Sequence, residues 1–444
     1  MKIFRMKKMK KHNTDEYAPV KKKQYPHLED KLENKKKDRI TLVSRFDKHL
    51  SSEQIAMISS LPKIVLNVSK ISHKHIQQLK KNVQVLFERL TINRVDRQVN
   101  YLNYDSFLTA YAYYYLTWNC FKLVKLFSLL PTDFFLQNAR DTNSDFQFAD
   151  FGAGPLTGLI ALWIAKPELR SHSIFFSCFD ISQKALALGE KIFRELGTVF
   201  NIQTSQWQIK KIKGHFGKPT VPFDFYFSSN MFNEFLSDTS ASFFKETKNV
   251  SKTILSYLKD SAHALIVEPG TPHGASIIST LRFHFVEAGV TIHSPCTHCT
   301  HCPLHVPHTD MYAYREQKHT NFSYAKKKWC HFVFPTFDAG NDLKQMSHEL
   351  NLPKENVTLS YFCFQKKSHL HIKTKNYVRI ISDTIELKDK TVGKYACGKS
   401  GFLLLTSDKK TIQKMRFGDM YAMSEDKLTS KIIDKKTGAK IIGV

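Results

Sequence analysis

The sequence predicts an α/β protein, a doubly wound and mostly parallel sheet preceded by a helical unit and followed by a small β unit. Three observations carry that expectation. Short, nearly continuous apolar runs at 146–152, 173–180, 223–230 and 262–268 read as strands buried on both faces. Helical patterns at about 157–166, 182–196, 238–258 and 274–288 alternate with them. Finally, 444 residues exceed what one core usually holds, at roughly 100–200 residues per domain.

Residues 1–45 form a basic flexible arm, since residues 1–40 carry 14 Lys/Arg and 6 Asp/Glu and almost no apolar periodicity. The arm is Lys-rich and contains acids, whereas a mitochondrial presequence is Arg-rich and acid-poor. Residues 46–138 are expected to be a helical domain. Ile76, Leu79, Val83, Leu86 and Leu90 mark one helix, and a second apolar run spans 107–130. Its aromatics Tyr111, Tyr113, Tyr114, Tyr115, Trp118 and Phe121 have helical spacing and read as core rather than as a base-stacking surface. Residues 139–370 hold the sheet, with later strands at 331–334 and 357–365 and a Cys-rich insertion at 293–332. Residues 371–444 alternate short apolar runs with Gly- and Lys-rich turns, which predicts the small β domain.

With 42% hydrophobic and 24% charged residues, the composition excludes a collagen or a wholly disordered chain. No stretch approaches about 18 consecutive apolar residues, so no transmembrane segment is expected and the protein should be soluble, as a monomer. Lys and Arg number 66 against 40 Asp and Glu, a formal charge of +26. Such an excess predicts a polyanionic partner, nucleic acid first, bound in a salt-dependent way.

At the first strand–helix junction stands Asp150-Phe-Gly152-Ala-Gly154-Pro-Leu156-Thr-Gly158. Glycines there allow a sharp turn and close approach of a ligand to the backbone, ahead of a helix N-terminus. Asp180 closes the next strand, where a carboxylate can accept both hydroxyls of a ribose. A nicotinamide fingerprint wants its third glycine at position 157, which is Thr, so S-adenosylmethionine is the better match. Asn233, Glu234 and Glu268 follow later strands at the carboxyl edge, where open α/β sheets collect ligands. No residue announces itself as a catalytic base.

The densest chemistry is Cys296-x-His298-Cys299-x-His301-Cys302, followed by Cys330-His331. Three Cys at this spacing match the local half of ferredoxin-type [4Fe–4S] ligation, which can take its fourth thiolate from a distant point such as Cys330. Zinc is the alternative metal, with His298, His301, His305, His308 and His331 as nitrogen donors. Cys120, Cys178 and Cys363 lie in apolar patterns and read as core.

Together, Asp150-Phe-Gly-Ala-Gly-Pro155, Asn233-Glu234, Val267-Glu-Pro-Gly-Thr-Pro272, Cys296-x-His298, Cys302-Pro-Leu304, Trp329-Cys330-His-Phe332 and Arg416-Phe-Gly-Asp419 resemble the methyltransferase-like proteins that assist mitochondrial small-ribosomal-subunit assembly, and their bacterial relatives. The resemblance covers about 100–420. It implies a class I methyltransferase-like fold, a [4Fe–4S] cluster, and small-subunit rRNA and ribosomal proteins as partners in ribosome assembly or translation. The compartment would be the mitochondrial matrix or a bacterial cytoplasm. It further implies Cys296, Cys302, Cys330 and Cys397 as cluster ligands and leaves Cys299 spare, whereas local spacing prefers Cys299 to Cys397. Two departures stand out: Leu156 where the family commonly has Gly, and Phe417 where it has Trp. An active S-adenosylmethionine-dependent rRNA methyltransferase and a zinc-bearing nucleic-acid-binding module are the alternative readings.

Overall fold

The computed structural model describes residues 45–46, 48–92, 101–136, 146–214, 221–236, 242–305, 329–367, 376–387 and 391–444. The expected arm lies almost wholly outside them. All described residues belong to one compact unit, 40–444, built on two sheets.

The larger sheet contains β1 (Phe146–Phe151), β2 (Ile174–Asp180), β3 (Trp207–Lys213), β4 (Phe223–Ser229), β5 (Leu258–Pro269), β6 (Thr291–Ser294), β7 (Phe332–Pro335) and β8 (Asn356–Gln365). Its order is β3-β2-β1-β4-β5-β8-β6, with β7 also paired to β8. β1 to β5 run parallel, while β8 is antiparallel to β5, β6 and β7. The crossovers from β1 to β2, β2 to β3 and β4 to β5 each carry a helix, the usual solution for parallel pairing. The strand and helix pattern led us to expect the doubly wound sheet, and this order, with one antiparallel strand inserted beside the fifth, is the class I methyltransferase fold that the family resemblance implied.

β3 is the strand that apolar runs do not reveal. Its sequence WQIKKIK alternates, and only Trp207 is fully buried. It sits at the sheet edge, where lysines discourage pairing with another chain.

Helices cover both faces. On one, Ser52–Val68, Thr117–Leu129 and Thr157–Ala165 share a continuous core with Phe148, Phe176 and Phe225. The residues expected as a helical domain therefore pack directly on the sheet. Tyr113, Tyr114, Trp118 and Phe121 are in that core, around a wide π turn at Tyr111–Leu116. On the other face, Phe243–Tyr257 and Pro272–Glu287 enclose Phe151, Tyr226, Ile266, Phe362 and Phe364. Phe151 and Phe179 stack at 4.2 Å across neighbouring strands. Cys120, Cys178 and Cys363 are fully buried, as their apolar context predicts.

Residues 377–443 form the second sheet, from β9 (Tyr377–Ile380), β10 (Ile385–Glu386), β11 (Val392–Gly398), β12 (Gly401–Ser407), β13 (Met420–Ala422) and β14 (Lys440–Gly443). Its order is β13-β9-β11-β12-β14, with β10 on β11. Among the described residues no single helix is long and apolar enough to cross a membrane.

A buried ion pair fastens the segment before the first helix. Lys125 Nζ lies 2.8 Å from Asp338 Oδ2, with side chains 3% and 7% exposed. Asp338 also accepts the Leu50 N–H, and Lys125 donates to Lys48 O. Removing one partner strands a charge in the core. Asp338→Ala is expected to lower the unfolding free energy by about 3–5 kcal/mol in chemical denaturation of the whole chain. A loss below ~1 kcal/mol would mean that Lys125 finds water or another acceptor.

Candidate functional site

The edge of the large sheet explains how distant cysteines meet. β6 and β7 lie along the same side of β8 and run in the same direction, so together they act as one edge strand interrupted between residues 294 and 332. β6 ends opposite Cys363 and β7 begins opposite Leu359. Only residues 360–362 of β8 lie between these partners, so the break spans roughly 13 Å at 3.3 Å per residue. The Cys-rich insertion leaves the sheet at this break and returns to it. Cys296 lies two residues beyond β6 and Cys330 two before β7, so the gap itself brings them close. Ser360 and Tyr361, inside the gap, fix its sides: Ser360 Oγ donates to Cys330 O at 2.7 Å, and Tyr361 OH and Ser294 Oγ lie 2.8 Å apart.

The second sheet closes the space. Thr297 Oγ1 donates to Tyr377 O, and the Arg379 guanidinium donates to Pro295 O and Gly418 O. Cys397, on β11, is the direct register partner of Arg379 on β9, so their side chains leave the sheet on one face. His298 Nε2 stands 4.0 Å from Cys397 Sγ. Burial and the adjacent Arg282 push His298 down to about 4, so it is neutral near pH 7.

Four sulfurs share this space. Cys330 lies within electrostatic range of Cys296 and Cys302, and Cys397 within range of Cys302, Cys296 and Cys330. Burial first, then the neighbouring sulfurs, pushes the thiols of Cys302, Cys330 and Cys397 up, while Arg282 opposes that rise. Cys299 is directed elsewhere: its sulfur accepts the Ile292 N–H at 3.4 Å, and of the cysteines only Cys296 acts on it appreciably. Among the described residues, no group of three or more His, Cys, Asp or Glu side chains is arranged so that it could hold a metal ion. His308 lies outside the described residues.

The glycine loop occupies the opposite part of the sheet. Gly152 and Gly154 both have positive φ, +69° and +51°. Gly152 presents its α-carbon to Met231, which a Cβ would meet at 2.9 Å, whereas a Cβ on Gly154 would enter open space. The Gly154 and Ser182 N–H groups donate to the two oxygens of Asp180, at 2.9 and 2.8 Å, and so fix the carboxylate's orientation. Leu156 is left-handed, φ +57°, and fully buried against Gly189 of the helix Gln183–Val199. Its side chain therefore faces the core and does not crowd the open side of the loop. Open space at Gly154 beside an oriented carboxylate fits the ribose end of an adenosine-bearing cofactor.

Asp150 is buried, and burial, reinforced by Asp180, raises its carboxyl well above the usual range. Glu268 is fully buried and accepts the Phe232 and Asn233 N–H groups at 2.9 and 3.1 Å. Its two oxygens brace the turn after β4 rather than face a substrate. Glu234 is exposed, and Asn233 half-buried. Lys122, which the sequence did not single out, is buried near Asn230 at 3.4 Å and Glu268. Its position in an apolar helix was the available signal.

The family profile of the mitochondrial small ribosomal subunit protein Rsm22 matches residues 134–428. No curated protein matches the chain. Among solved structures, a putative class I S-adenosylmethionine-dependent methyltransferase from Listeria monocytogenes is 11% identical over 71% of this chain and 88% of its own, with a TM-score of 0.31. The plantazolicin methyltransferase BpumL, solved with SAH, is 11% identical over 71% and 98%, with a TM-score of 0.26. The StiE O-MT domain is 12% identical over 52% and 72%, with a TM-score of 0.27. At these scores the fold assignment rests on the strand order.

Glu268 provides a test of the braced turn. Burial pushes its carboxyl up to about 8, against the pull of two N–H donors and Lys122. The folded chain therefore binds a proton there that the unfolded chain releases near pH 4.5. This contribution is fully present below that pH and is lost as pH rises through about 8. Between pH 5 and 7 the wild-type unfolding free energy is expected to fall by up to about 1.4 kcal/mol per pH unit from this group. Glu268→Gln should flatten that slope in denaturation titrations, and an unchanged slope would assign it elsewhere.

Proposed function

Because the chain belongs to the mitochondrial small ribosomal subunit Rsm22 family, we propose that it is an RNA-associated factor for small-subunit assembly or translation, with a [4Fe–4S] cluster joining its two sheets. The ribosome-related methyltransferase-like character follows from the family and the fold. The cluster and the rRNA contact are the reading proposed here, and the mitochondrial matrix is the compartment proposed with it.

One observation carries the proposal: Cys296, Cys302, Cys330 and Cys397, from three separated stretches, share one electrostatic environment, while Cys299 turns to the Ile292 backbone. A zinc ion would draw four sulfurs to about 2.3 Å from a single point. A cubane instead takes one thiolate at each of four iron corners, and the four cysteines supply that number. The fit is strengthened by Arg282, whose Nη1 is buried with no hydrogen-bond partner beside these thiols. Bound there, the cluster would crosslink β11 to the interrupted edge strand, so that metal binding becomes folding free energy.

Phosphate contact is supported by the +26 charge and by the family's place in the small subunit. The sheet serves as scaffold. S-adenosylmethionine, which would supply an electrophilic methyl group, would be held by Asp180 and by the open backbone surface at Gly154. The assembly reading does not depend on turnover.

Anaerobically purified protein is expected to contain iron and acid-labile sulfide. Cys296→Ser, Cys302→Ser, Cys330→Ser and Cys397→Ser should each lose both, whereas Cys299→Ser should retain them. Zinc without sulfide would replace the cluster with a structural ion, and retained iron in Cys397→Ser would return ligation to local spacing. Affinity for a small-subunit rRNA fragment should fall by about 10³–10⁵ between 50 and 200 mM salt if roughly 6–10 phosphates are contacted. A flat salt response would remove the RNA contact.

A further inference from the structure

Two arginines flank the sulfurs, one from each sheet domain: Arg379 also has the Asp419 carboxylate within electrostatic range, whereas the acids near Arg282 are the cysteines. Arg282 lies in the helix Pro272–Glu287, 2% exposed, on a stretch whose buried residues include Ile277, Ile278, Leu281 and Phe285 beside the polar Thr280 and His284. A guanidinium placed there needs an anion, because burial of an uncompensated charge costs several kcal/mol. Its Nε donates to Cys296 Sγ at 3.1 Å, and its Nη2 to His298 O at 2.8 Å. Nη1 remains buried without a hydrogen-bond partner. Arg379, also 2% exposed, is the register partner of Cys397 and grips the same loop through Pro295 O. Cys296 and Cys330 are among the groups whose charge acts on it.

A neutral thiol is a weak acceptor and cannot offset the desolvation of a guanidinium. A thiolate-ligated inorganic centre can, since it is anionic and its sulfurs accept strong, charge-assisted N–H bonds. Resting on the cluster reading above, we propose that Arg282 and Arg379 are the fixed counter-charges of this centre, and that Arg282, through its N–H to the Cys296 sulfur, sets the centre's reduction potential. Both are positioning residues. Adding an electron to a buried cluster adds negative charge, which a fixed cation and an N–H···S bond stabilise. Removing them therefore shifts the potential downward.

The test compares wild type, Arg282→Met and Arg282→Lys, each as the full chain purified anaerobically, by iron and sulfide analysis and by mediated potentiometric titration. Wild type without iron and sulfide overturns the cluster reading itself. With wild type loaded, Arg282→Met is expected either to lose most of its iron or to keep it with the reduced-to-oxidised equilibrium at least tenfold less favourable, which is 59 mV for a one-electron couple. Full loading with an equilibrium within twofold of wild type overturns the present inference and leaves the cluster intact. Should the methionine variant fail to accumulate, the lysine variant decides. It keeps the charge but not the donor fork, so it should load like wild type with a lowered potential, and an unshifted potential in it also overturns the assignment.

Discussion

The structure depends on a broken β-strand. β6 and β7 each pair with β8 in the same direction, and the residues missing between them on the sheet edge are replaced by a long excursion. A continuous edge strand would satisfy the backbone of β8 but would keep its flanking residues in line, at about 3.3 Å per residue. At the break, the Ser360 and Tyr361 side chains reach Cys330 O and Ser294 Oγ on either side. The break also folds two cysteine-bearing ends back toward each other. The second sheet then seals the opening through Arg379 and Thr297, and the environment of every sulfur follows from that closure.

Much of this was legible in the sequence, for identifiable reasons. β1, β2, β4 and β5 are buried on both faces, so their apolar runs are nearly continuous, and the helices between them keep their period. β3 escaped because an edge strand is only half buried and its lysines break the run. Of the candidate site, the glycine loop could be read because positive φ leaves few choices of residue. The engagement of Asp180 and Glu268 with backbone amides could not, because hydrogen bonding of a carboxylate to a turn leaves no mark on its neighbours in sequence.

The cysteines show the same limit from the other side. Spacing ranks Cys299 with Cys296 and Cys302, since ligands three apart can converge locally. The tertiary structure instead turns Cys299 toward Ile292 and brings in Cys397 from the second sheet. The expectation of Cys397 as a ligand came only from the family resemblance, because pairing between β9 and β11 is set by strand register far from the insertion. Arg282 had a faint signal, a cation between Leu281 and Phe283 on the buried side of a helix. Arg379 had none, since an Arg in a short strand next to turns is ordinary.

The register of Cys397 has a consequence for biosynthesis. Cys296, Cys302 and Cys330 are all translated well before β11 exists, and a chain emerging N-terminus first cannot bring the fourth sulfur alongside them until β9 and β11 have paired. During that interval the three earlier thiols lack their lid and are open to oxidants and to stray metal ions. On the proposed cluster, maturation would thus be tied to the end of synthesis, and a nascent chain stalled before the second sheet would be vulnerable at that point however well its first sheet had folded.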